Sequence, residues 1–323
     1  MKKNTANLHG GLLINKPAGV TSHDIVNTVR HIPELKGIKV GHSGTLDPFA
    51  SGLLIILVGH ATRLQDELHM LPKTYRAEIT LGATSDTDDS TGVIRPLTST
   101  SPSFVRSGSA RTLPLPEGEL EGVGAALEPN KDQILTALSR IKQQTSQIPP
   151  AYAAIKINGK KMYEYARAGE SVERKPRPIT IHEIILEEYK YPTLQISVTC
   201  STGTYIRSLA RDIGEILGTG AYCSQLTRTA IGSFTDKNAN SPEDLPKVIH
   251  SSIIPMEQLV SHIPSIICAE DIVAKYKQGK VGECDRDTPI NTPIALLDSN
   301  KKLFGIAIRE TEETIVQPKK IFL

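Results

Sequence analysis

The sequence predicts an α+β protein of two domains, and three observations carry that reading. Stretches of period-2 alternation and stretches of period 3.6 are interspersed without the steady strand–helix–strand rhythm of a doubly wound sheet. The 323 residues exceed one domain at about 150 residues each. Beyond about residue 250 the pattern changes to short strands separated by turns, the mark of a small β-rich domain.

The elements follow in chain order. Ser22 is placed to cap a helix over 22–31, with Asp24 in its first turn and Ile25, Val26, Val29 and Ile32 on one face. Residues 75–82 alternate as a strand, with Tyr75, Ala77, Ile79 and Leu81 on one side. Asn130 caps a helix to about residue 143 whose face is Ile134, Leu135, Leu138 and Ile141. Leu194, Ile196, Val198 and Cys200 make a second alternating strand. It runs through Gly203 into a helix with Ile206, Leu209, Ala210, Ile213 and Leu217, closed by Gly218. Near the C-terminus, 294–297, 303–308 and 314–316 read as strands, with Asp298-Ser299-Asn300 as a turn. Residues 97–129, rich in Ser, Thr, Pro and Gly, read as a mobile surface insertion, since they are long for a structureless connection.

Composition narrows the function. The longest aliphatic run, Leu53 to Val58, is far short of the roughly 20 residues that span a bilayer. Lys2 and Lys3 precede no long apolar segment. The expectation is a soluble, cytoplasmic protein. Cys200, Cys223, Cys268 and Cys284 fit neither a zinc site nor a disulfide framework, so reduced thiols are expected. A net charge of +2 announces no nucleic-acid partner globally, and with 4% aromatic residues a broad stacking platform is not expected.

Four segments carry chemistry. In Gly41-His42-Ser43-Gly44-Thr45-Leu46-Asp47-Pro48-Phe49-Ala50-Ser51-Gly52, Asp47-Pro48 reads either as a helix cap with its first turn or as a positioned carboxylate nucleophile. Thr45 stands where a Gly-x-Ser-x-Gly elbow needs glycine, and no Gly-Lys-Ser/Thr phosphate loop is present. His42 lacks a second metal ligand at helical spacing. Tyr205-Ile206-Arg207 opens a helix on which Arg207 and Arg211 share a face. That face is either solvated or joins Arg207 to a buried carboxylate. From 156 to 177, seven basic residues stand against Glu164, Glu170 and Glu173, with Tyr152, Tyr163 and Tyr165 interleaved or nearby. This pattern suits a phosphate backbone and exposed bases. The cluster Asp86, Asp88, Asp89 fails the calcium-loop pattern at Thr91 and Leu97. Taken alone, Tyr75 on its apolar strand face is a core tyrosine.

These segments, in this order, resemble the TruB family, the bacterial tRNA pseudouridine synthases that act on uridine 55 of tRNA. The resemblance spans about residues 10–235 and, more loosely, the C-terminus. Lys16-Pro17-Ala18-Gly19-Val20-Thr21-Ser22 begins it, and Gly41 to Leu54 is its most specific part. Tyr75 before Leu81-Gly82-Ala83-Thr84, Gln147-Ile148-Pro149-Pro150 to Arg167-Ala168-Gly169, Cys200 to Arg207, and Leu226 complete it. Ser43 and Ser51 stand where threonine is usual.

The resemblance implies a pseudouridine synthase fold, with a central mixed, mostly antiparallel sheet and flanking helices over 1–250. An RNA-clasping insertion would lie at 147–180 and a PUA-like domain at 251–323. It implies that Asp47, Tyr75 and Arg207 are catalytic and that Arg207 keeps Asp47 ionised. Lys16, His42, Lys156, Arg167, Tyr205 and Leu226 would contact RNA or the flipped base. It implies an isomerisation needing neither cofactor nor metal, performed on the TΨC stem-loop of tRNA by a monomer without protein partners. An RNA-guided synthase and a non-catalytic tRNA-binding or tRNA-folding module are the competing readings. A serine hydrolase is a more distant one.

Overall fold

The computed structural model describes residues 8–97, 128–153, 155–157, 159–170, 172–283 and 286–322. The insertion expected at 97–129 falls almost wholly outside them. The chain forms two compact units. One joins the residues up to Lys73 with those from Arg228 onward, and the other is Thr74–Thr227.

The first unit starts with β1 (Gly10–Lys16), α1 (Ser22–Arg30), β2 (Val40–His42), β3 (Ser51–Val58) and α2 (Gln65–His69). β1 and β2 both pair antiparallel with β3. Leu53 to Val58 are wholly buried, so the aliphatic run is a strand covered on both faces. Ile25, Val26 and Val29 of α1 pack with Leu12, Ile14, Leu54 and Ile56. The cap of α1 differs from the expectation by one residue: Thr21 accepts from Asp24 N–H while Asp24 accepts from Thr21 N–H. Ser22 is instead buried, and its hydroxyl serves the neighbouring loop.

The second unit holds β4 (Lys73–Leu81), entered at Thr74, then β5 (Ala83–Ser85), β6 (Ile94–Pro96), α3 (Lys131–Lys142), β7 (Ser146–Gln147), β8 (Lys156–Ile157), β9 (Lys160–Lys161), α4 (Met162–Arg167), β10 (Arg177–Pro178), β11 (Ile181–Lys190), β12 (Thr193–Cys200), α5 (Ile206–Leu217) and most of β13 (Ala221–Ile231). Its strand order is β13-β4-β12-β11. Leu194, Ile196, Val198 and Cys200 are all fully buried, as the alternation requires. Asn130 caps α3 in a capping box with Gln133. Leu135 is 46% exposed and Ala137 takes its place in the core, because 135 lies a full step off the i, i+4, i+7 line of Ile134, Leu138 and Ile141. Gly218 ends α5 in the left-handed conformation (φ +70°).

The chain re-enters the first unit at Arg228 and adds β14 (Phe234–Thr235), α6 (Leu245–Ser252), α7 (Met256–Leu259), β15 (Ser265–Ile267), α8 (Glu270–Lys277), β16 (Gly282–Glu283), β17 (Pro293–Leu297), β18 (Leu303–Ile308) and β19 (Ile315–Ile321). The β-rich C-terminal segment has its own sheet, in the order β15-β17-β18-β19-β16, and its own core around Tyr276, Ile294, Phe304 and Val316. Ala295, Leu303, Ile306 and Phe322 nonetheless share a core with Leu13, Leu53 and Ile55. By packing, this segment groups with the N-terminal strands.

Candidate functional site

In the first unit, the candidate residues gather where β1, α1 and β3 begin or end. The loop 43–50 returns the chain from β2 to β3. No helix starts at Asp47, which overturns the capping alternative: Ala50 N–H closes a turn on the Asp47 carbonyl (3.1 Å), and β3 starts at Ser51. Asp47 itself is half-buried.

Three side chains fix this loop. Lys16, fully buried at the end of β1, donates to the carbonyls of Pro17 (2.9 Å), Val20 (2.8 Å) and Pro48 (3.4 Å). Gly19 N–H also reaches Pro48 O (2.8 Å). Ser22 Oγ donates to Leu46 O (3.1 Å) and accepts from Leu46 N–H (2.8 Å). Arg228, 1% exposed, donates from Nε to Leu53 O (2.8 Å) and from its terminal nitrogens to Thr45 O (3.3 Å) and Gly44 O (3.2 Å).

Burial and the nearby Arg228 charge lower the Lys16 ammonium to about 8, against the pull of Asp47. His42 is also pushed down, first by burial and then by Arg228, His23 and His69. Its Nδ1 accepts from Gly44 N–H (3.2 Å), which only the neutral ring can do. His42 is therefore a flat, uncharged ring at neutral pH.

In the second unit, Arg207 is buried in the first turn of α5 and is no part of a solvated face. Its guanidinium meets Asp89 at 3.3 Å, with both side chains about 5% exposed, and donates to Thr87 O (3.2 Å) and Tyr152 O (3.3 Å). One turn on, Arg211 pairs with Asp88 (2.8 Å) and Asp212 (2.9 Å). The acidic cluster thus neutralises arginines and shapes its own loop: Asp86 accepts from Val93 N–H (2.8 Å) and Asp89 from Thr91 N–H (2.9 Å). Burial pushes the Asp88 carboxyl up, against the pull of Arg211. No cluster of three or more metal-ligating side chains occurs among the described residues.

Gln147, buried, accepts from Tyr205 N–H (2.9 Å) and donates to Tyr205 O (3.1 Å). This bidentate clasp sets the backbone from which Tyr205 projects, half-buried. Leu226 is buried on β13. Tyr75 on β4 is half-buried and not a core residue, whereas Ala77, Ile79 and Leu81 beyond it are buried. In the 147–180 segment, β8 and β9 form a hairpin that leads into α4. Lys156 is exposed there. Tyr165 donates to Ile157 O (3.2 Å), and Lys160 lies 4.5 Å above its ring. Arg167 closes α4.

The structure thus groups Lys16, His42 and Asp47 in one unit, and Tyr75, Lys156, Arg167, Tyr205, Arg207 and Leu226 in the other. Four residues that the sequence reading gave no site role hold the named ones: Ser22, Asp89, Gln147 and Arg228. Ser22 and Gln147 stood in motifs of the resemblance and Asp89 in the acidic run, each without this holding role, and Arg228 stood in none. Arg228 sits in a strand whose burial alternation shifts phase between Cys223 and Leu226, so parity counted from Ala221 and Cys223 does not place it inside.

The family profile described as "TruB family pseudouridylate synthase (N terminal domain)" matches residues 30–121 and 116–206. The profile "tRNA pseudouridylate synthase B C-terminal domain" matches 207–261, ending before the five-stranded sheet. A "tRNA pseudouridine synthase B" of Bacillus licheniformis is 39% identical over 285 residues, covering 85% of this chain and 84% of the relative. One of Geobacillus thermodenitrificans is 35% identical over 328 residues, covering 98% of this chain and all of the relative. Among solved structures, a Cbf5-Nop10-Gar1 complex is similar, with a TM-score of 0.71 and 23% identity over 98% of this chain and 85% of that one. At that identity the likeness speaks for the fold alone.

Proposed function

The chain belongs to the TruB family of pseudouridylate synthases, and from that premise we propose that it converts uridine 55 in the TΨC loop of tRNA to pseudouridine. The observation that carries the reading is the turn around Asp47. One half-buried carboxylate is held on a loop whose backbone is tied by Lys16, Ser22 and Arg228. A weak nucleophile needs that fixity.

The reaction is an exchange within one nucleoside. The C1′–N1 bond breaks, C1′–C5 forms, the C5 proton leaves and N1 gains one, so atoms and electrons balance without a co-reactant. Asp47 attacks C1′ or assists departure of the base. Arg207, held in part by Asp89, supplies the positive charge of the catalytic site. Tyr75 stacks under the uracil and moves the late proton. Tyr205 and Leu226 are apolar walls, and Lys16 braces the loop.

The target base must leave its stack, at a cost of a few kcal/mol. The neutral His42 ring suits stacking on neighbouring bases, worth about 1–3 kcal/mol each. Lys156, Arg167 and the tyrosines of 147–180 clasp the RNA. The enzyme acts in the cytoplasm as a monomer, and residues 251–323 are its PUA-like domain.

The test is purified chain with an unmodified tRNA transcript and no other RNA or protein, read by pseudouridine mapping. Product at position 55, abolished in Asp47→Asn while tRNA binding persists, is the expected result. Near-normal turnover by Asp47→Asn, or activity only with an added guide RNA, overturns it.

A further inference from the structure

The Arg228 guanidinium is a second cation buried beside the Asp47 turn, and the reaction as read above does not use it. Among the described residues its three hydrogen bonds all end on backbone carbonyls. Gly44 and Thr45 lie just before Asp47, and Leu53 lies in β3, past the end of the loop. A guanidinium is a planar fork with fixed N–H directions, so three carbonyls bound to one are fixed relative to each other.

The backbone of Arg228 adds a second restraint. Gly52 has φ +104°, and a Cβ there would stand 2.4 Å from Arg228 O and 2.8 Å from its N. The exit of the loop therefore lies directly on the strand that carries Arg228. From the other side, Lys16 grips Pro48. The Arg228 charge also lowers Lys16 and His42, after burial in each case.

We propose that Arg228 is a positioning residue for Asp47, holding both ends of the Gly44–Leu53 turn so that the carboxylate meets the ribose in one geometry. This rests on the reading of Asp47 as the catalytic carboxylate. A lysine at 228 supplies the charge but not the fork, and a glutamine supplies neither the charge nor the reach.

The experiment compares wild type, Arg228→Lys, Arg228→Gln and Asp47→Asn by melting curve, tRNA affinity and single-turnover pseudouridine formation. Folded Arg228→Gln should bind tRNA within about twofold of wild type and form product about 10²-fold more slowly, the loss that roughly 1 Å of misplacement brings. Arg228→Lys should recover part of that rate. If Arg228→Gln fails to fold, Arg228→Lys decides, with a rate reduced at unchanged affinity as the supporting result. A rate within about twofold of wild type in a folded variant, or a loss that tracks tRNA affinity, overturns the proposal. Asp47→Asn separates the two failures. If it stays active, the reading of Asp47 falls and this inference with it. If it is inactive while Arg228→Gln is active, only this inference falls.

Discussion

Lys16→Met tests the electrostatics of the loop through the pH dependence of stability. The ammonium is fully buried and titrates at about 8 rather than 10.5. In the folded chain its proton is therefore held more weakly than in the unfolded chain, by about 3 kcal/mol at 1.36 kcal/mol per pKa unit. The folded pKa of this base is depressed, so the cost of its charge is fully present below about 8 and is relieved as pH rises toward 10.5. Between the two values the unfolded chain binds more protons, and stability contributed by this group climbs with pH. Integrated from about pH 7 to about pH 9, the gain is about 1 kcal/mol.

Methionine keeps the apolar stem and removes the titration. It also leaves the carbonyls of Pro17, Val20 and Pro48 without this donor, a pH-independent cost of about 1–3 kcal/mol for each that stays unsatisfied. The single-pH difference mixes the two effects, but the change of that difference with pH does not. Urea unfolding of both proteins at the two pH values should show wild type gaining about 1 kcal/mol on Lys16→Met. A difference that stays flat, or that moves the other way, refutes the buried-ammonium argument.

Three further outcomes follow from two contacts. Asp89→Asn removes one carboxylate from the buried Arg207 guanidinium, so thermal or urea unfolding should show a loss of up to about 3–5 kcal/mol, the range for disrupting a buried pair. Arg207→Lys should lose activity as well, because one ammonium cannot serve Asp89, Thr87 O and Tyr152 O in the same geometry. Wild-type unfolding and turnover in both variants would place the pair outside the site. Gly52→Ala forces a Cβ to 2.4 Å from Arg228 O at φ +104°. The expected loss is well above about 1 kcal/mol by urea unfolding, and a neutral result would show that the strand can shift.

Much of the fold was legible because its signals are local. The periods of α1, α3, β12 and α5 follow directly from where apolar side chains recur, and Asn130 and Gly218 mark helix ends by their own backbone chemistry. The misplaced details were also local competitions. Thr21 takes the cap of α1 because Ser22 is drawn to Leu46, and Leu135 looks apolar but falls off the buried line.

For the site, the sequence by itself determined the chemical inventory: an aspartate beside proline on a glycine-rich loop, a Tyr-x-Arg at a helix start, and a basic segment with tyrosines. What only the tertiary structure decided is how each is held. Arg207 finds Asp89 across 118 positions of chain, Gln147 clasps Tyr205 from 58 residues away, and Arg228 reaches Thr45 over 183. No period or motif announces which groups pair, because a buried guanidinium or amide is satisfied by whatever carbonyls and carboxylates the folded chain brings within about 3 Å.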